Sequence, residues 1–133
     1  MSTIENTTEI DVINSFHSHP LVKKALPSGL EHQFFLSALA IYELEIQELG
    51  YIEGEDCFDK DIGRTPIYTL GLLMYVEFLT RELNKIEKMN GFYGKDIHMT
   101  GSDGSKRITM EDLKFELERA NDYLYKQKRH SFN

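Results

Sequence analysis

The sequence has a single cysteine, Cys57, and no apolar run near the ~20 residues that a membrane-spanning helix requires. A lone cysteine excludes an internal disulfide and a cysteine-rich zinc site, and it fits a reducing cytoplasm. The opening "MSTIENTTEIDV" offers neither a basic region nor an apolar core, so no secretion signal is expected. Both absences point away from a membrane role.

What is present is ordinary in amount and uneven in placement. The 133 residues suit one domain, with 41% hydrophobic and 28% charged side chains. Residues 43–61 contain eight acids (Glu43, Glu45, Glu48, Glu53, Glu55, Asp56, Asp59, Asp61) against Lys60 alone, which matches the whole net charge of −7. The chain ends in a basic cluster of Lys126, Lys128 and Arg129 beside His130.

Periodicity predicts an all-α fold with three main helices and a short N-terminal one. Ile10, Ile13 and Phe16 mark the short helix. Ser28 and Glu31 have capping-box spacing, and Leu30, Phe34, Ala38, Ile41 and Leu44 follow as a wide apolar face that Gly50 is expected to close. Residues 51–64 read as an acidic connection punctuated by glycine. Thr65-Pro66 starts a helix expected to stop at Asn90-Gly91, apolar nearly all round in its first half and striped in its second. Thr109 and Asp112 resemble a cap for the last helix, whose stripe is Leu113, Leu117, Ala120 and Leu124 and whose end is expected to fray. Between the last two helices, residues 92–108 are expected to project as a β-hairpin or loop, and residues 126–133 to form a C-terminal arm.

Motifs for chemistry are weak. "GSDGSK" lacks the spacing of a phosphate loop, its Asp103 would repel phosphate, and a turn between alternating segments suits it better. Asp56, Asp59 and Asp61 could ligate calcium, but no register supplies the glycine and bidentate glutamate of a calcium loop. His17, His19 and His32 lack cysteines or a paired-histidine helix to complete a zinc site. No serine occupies a nucleophile elbow, so no catalytic residue, metal or cofactor is expected.

The strings "NGFYGKDI", "TGSDGSKR" and "QKRHSFN", with the order of helices around them, make residues 64–133 resemble the head–tail connector (adaptor) proteins of tailed bacteriophages. The resemblance implies a structural virion protein at the head–tail junction. It would form a ring, commonly twelvefold, that extends the DNA channel between the portal and the next neck or tail protein. Lys126, Lys128, Arg129, His130 and Phe132 would form the portal-facing arm. The loop carrying Lys95, His98, Asp103, Lys106 and Arg107 would face a neighbouring subunit or the channel. A lumen lined by Glu53, Glu55, Asp56, Asp59 and Asp61 would let DNA slide without sequence preference. The alternative is a small acidic helical protein that binds or regulates a basic partner.

Overall fold

A computed structural model describes residues 6–23, 26–93 and 110–131, with the side chains of 89–93 and 128–131 outside the description. Four helices, α1 (Glu9–His17), α2 (Ser28–Glu45), α3 (Arg64–Tyr93) and α4 (Met110–Ser131), carry the fold. One two-stranded antiparallel sheet, β1 (Tyr51–Ile52) and β2 (Cys57–Phe58), joins α2 to α3 and pairs Tyr51 with Phe58. The all-α class is as expected. The projecting hairpin expected at 92–108 falls almost entirely outside the described residues.

The core is built around the first half of α3. Leu70, Leu72, Leu73, Met74, Tyr75, Phe78 and Leu79 are all buried, on every side of the helix, because α1, α2 and α4 each pack against it. An apolar surface with no polar stripe requires this enclosure. Where α1 crosses α3, Gly71 lets the backbones approach: a Cβ there would stand 2.7 Å from Ser15 Oγ and 3.0 Å from Phe16 N. Phe16 fills the crossing, edge-on to Phe34 and Phe78 with centroids 6.3 and 5.9 Å away.

Three local expectations are corrected. Residues 51–64 are a docked hairpin, not a bare connection. Thr8 bridges Cys57, Phe58 N–H donates to Thr7 O at 2.8 Å, and Thr7 N–H donates to Lys60 O at 3.1 Å, so residues 7–8 run along β2 like a third strand. Phe58 is thereby driven into the core against Phe35 and Tyr51. Alternating Phe58 and Cys57, hidden among acids, left too short a pattern to read as a strand.

The Ser28–Glu31 box does not form. Pro27 caps α2 without a side-chain bond, and Glu31 turns back to His17 Nε2 and to the N–H of Leu26 at 3.1 Å. A buried acid with two donors in reach satisfies them in preference to a cap that water could serve. The capping box lies instead at α1, where Thr8 Oγ1 accepts from Asp11 N–H and Asp11 accepts from Thr8 N–H.

Helix ends also differ. α2 stops at Glu45, five residues before Gly50, because the chain turns to bury Leu49, whose N–H donates to the Glu43 carboxylate at 3.1 Å. Gly50 opens the hairpin with φ +79°, where a Cβ would collide with the Asp59 carboxylate. α3 passes through Asn90-Gly91 to Tyr93, thirty residues or ~45 Å at 1.5 Å per residue. A glycine inside a helix lowers its stability without forcing an end. α4 remains helical to Ser131, so the backbone of 126–131 continues a helix where a frayed arm was expected.

Candidate assembly interface

α2 and α4 lie on either side of α3, and between their C-terminal halves a cleft of about 250 Å³ remains open. Its floor is Thr69, Leu73 and Val76 of α3, and its walls are Ile41 and Ile46 on one side and Leu124 and Tyr125 on the other. The side chains follow helical spacing: Thr69, Leu73 and Val76 share one face of α3, as Asn121, Leu124 and Tyr125 do on α4. Leu44, one turn along α2 from Ile41, is 86% exposed, and Tyr125 is 62% exposed. The cleft is mostly apolar, with Glu45, Thr69 and Asn121 as its polar members, and is suited to receive apolar groups of another molecule.

The hairpin leads straight into Arg64 at the start of α3, so its acids lie at the end of α3 that carries the cleft. Glu53, Glu55, Asp56, Asp59 and Asp61 are all exposed, the arrangement the channel expectation needs. Part of the set has local structural tasks. Asp61 accepts from Gly63 N–H at 2.9 Å and from Thr7 Oγ1, and Asp56 sits in the left-handed region at φ 55°, accepting from Glu9 N–H with its backbone carbonyl. The acidic composition therefore reflects turn building as well as surface charge.

At the same end, α4 runs antiparallel to α3, with Tyr123 edge-on to Tyr68 at 5.1 Å. Lys126, one turn further on, is exposed. Lys128, Arg129 and His130 belong to the described backbone of α4, while their side chains, and Phe132 entirely, lie outside the described residues. Lys95, His98, Asp103, Lys106 and Arg107 lie outside them as well.

Two of the described histidines, His17 and His32, pair with carboxylates. His17 pairs with Glu31, and His32 Nδ1 lies 2.8 Å from Glu9 Oε2, whose other oxygen accepts from Tyr51 O–H at 2.9 Å. The Glu9 carboxylate holds His32 above the usual imidazole range, chiefly by accepting its hydrogen bond. Burial, reinforced by the bond to Glu9, pushes the Tyr51 hydroxyl well up. No cluster of three metal-ligating side chains occurs among the described residues. None of their helices is long and apolar enough to cross a membrane.

Two features escaped the sequence. One is the cleft, whose signal was the excess width of the α2 stripe: Ile41 and Leu44 exceed what packing on α3 alone can cover. The other is a polar cluster in which the buried Tyr75 O–H donates to Oε1 of the buried Glu116 at 2.8 Å and Arg119 grips the same carboxylate from the surface through Nη2 at 2.9 Å. Arg119 holds the Glu116 carboxyl below its ordinary range, mainly through that hydrogen bond. The clue was Glu116 itself, three residues after Leu113 and four before Ala120 on the buried stripe.

No family model, curated protein or solved structure matches the chain.

Proposed function

We propose that the chain is a structural adaptor that assembles laterally into a ring at the head–tail junction of a tailed phage virion. The observation that carries this reading is the apolar cleft between α2 and α4. A groove on one side of a subunit that receives a different part of its neighbour is a heterologous contact, and such contacts close into rings under rotation. The resemblance of residues 64–133 to connector proteins supports the same conclusion, as does an exposed acidic turn that would repel passing DNA. In this reading the basic end of α4 meets the portal, the twelvefold count follows the family, and the acids of 53–61 face the lumen.

Sedimentation velocity of the purified chain, alone and with a portal ring, tests the proposal. The expected result is a ring-sized species in at least one condition. Ile41→Glu, at the exposed rim of the cleft, should abolish that species while leaving helicity unchanged. A chain that stays monomeric and unbound in both conditions overturns the reading. The exposed acidic turn also favours a second reading, a monomeric protein that binds a basic partner; a 1:1 complex weakened by neutralising Glu53 and Glu55 would identify it.

A further inference from the structure

We propose that His19 is a pH-sensitive latch: its neutral ring clamps the segment after α1 onto the seam between α3 and α4, and protonation releases that segment.

The geometry is unusual for a histidine. Its residue is only 6% exposed, yet Nε2 has no hydrogen-bond partner. The ring lies flat on Tyr75, with centroids 4.4 Å apart and planes 10° from parallel, and leans on Tyr68 at 5.7 Å. The same Tyr75 hydroxyl accepts the N–H of Leu21 at 3.4 Å and donates to Glu116 at 2.8 Å. One phenol thus ties together the segment after α1, the central helix and the last helix.

A neutral imidazole suits this place as a flat, largely apolar plate. An imidazolium does not, because it adds a charge and a second N–H that need solvent or an acceptor. The ionisable groups facing the ring are Tyr68 and Tyr75 from α3 and Glu116 and Arg119 from α4. His17, two residues back, is occupied with Glu31 of α2. Glu116 would attract the cation, but its carboxylate already serves Tyr75 and the Arg119 Nε and Nη2 donors, while the guanidinium repels it. Burial and then Arg119 accordingly hold the His19 ring below the ordinary imidazole range, against the smaller pull of Glu116.

The sign follows from linkage. A ring that is harder to protonate when clamped is stabilising above the ordinary imidazole value, and its contribution is lost as pH falls below it. Acidification therefore frees residues 18–23 and uncovers the tyrosine face that α4 leans on. The latch operates whether or not the chain assembles.

Hydrogen exchange resolved by peptide, at pH 7.5 and pH 5.0 with intrinsic rates corrected, tests it. Protection in residues 18–23 and 113–120 of the full chain should fall several-fold. The ceiling is about thirtyfold, set by the 1.5 pH units between pH 5.0 and the ordinary imidazole value. His19→Phe keeps the stack and cannot titrate, so its protection should not fall. Equal loss in wild type and His19→Phe, or no loss in wild type, refutes the latch. If His19→Phe fails to fold, His19→Gln serves the same comparison.

Discussion

Replacing Gly71 by alanine tests the claim that α1 and α3 are held apart only by the thickness of a glycine. On helix propensity alone the change should stabilise, since alanine is favoured over glycine by about 1 kcal/mol inside a helix. Packing opposes it. The new Cβ would stand 2.7 Å from Ser15 Oγ, 2.9 Å from Ser15 Cβ and 3.0 Å from Phe16 N. Carbon contacts are comfortable at ~3.5–4.0 Å, so α1 must retreat by roughly 0.5–1 Å. A different Ser15 rotamer relieves the first contact and leaves the other two. Retreat would loosen Val12 and Phe16, both fully buried, and overpacking of this kind costs about 1–3 kcal/mol. The net expectation is destabilisation by ~1 kcal/mol, read from urea denaturation followed by helical circular dichroism. Gly29→Ala is the matched control, because a Cβ there meets nothing within 4 Å and only the propensity gain remains. Ser15→Gly should partly rescue Gly71→Ala, since the Phe16 N contact persists. If Gly71→Ala proves as stable as Gly29→Ala, the close crossing is refuted.

Two further substitutions probe the polar clusters. Glu116→Leu should cost about 1–3 kcal/mol in urea denaturation by stranding the Tyr75 hydroxyl, and less in a Tyr75→Phe background, where there is no hydroxyl to strand and only the Arg119 pairing is lost; equal costs in both backgrounds would contradict the hydrogen-bond assignment. The raised His32 predicts a pH dependence opposite to that of His19: its contribution is full below the ordinary imidazole value and lost as pH rises through the folded one. Wild type should thus exceed His32→Gln at pH 5.5 and lose that advantage by pH 8.5, an effect within about 0.2–1 kcal/mol because the ring is 44% exposed.

Helical periodicity identified all four helices because an apolar stripe is a repeated, local signal. Leu113 and Ala120 of the last stripe are buried as their spacing implied, and the all-round apolar half of α3 lies inside. In α1 the burial falls on Val12 and Phe16, whereas Ile10 is 65% exposed. A nine-residue helix offers too few turns for spacing to choose its face, and the crossing at Gly71 made that choice. The hairpin was hidden for a related reason: its pairing partners, Thr7 and Thr8, are some fifty residues away and have no apolar pattern of their own. The cleft was only half legible. Surplus apolar residues on α2 announced that something must be covered, but its position depends on how far α3 separates α2 from α4.

The run of residues 7–8 along β2 has a consequence for the rest of the sheet. With those two residues and Glu9 in place, the N–H of Phe58 and the carbonyls of Asp56 and Lys60 are consumed within the molecule. Were they pulled away, β2 would become an open edge whose unpaired backbone groups can recruit a strand from another molecule. Residues 7–9 thus work as a seal against uncontrolled β-pairing, which would compete with any regulated association at the cleft.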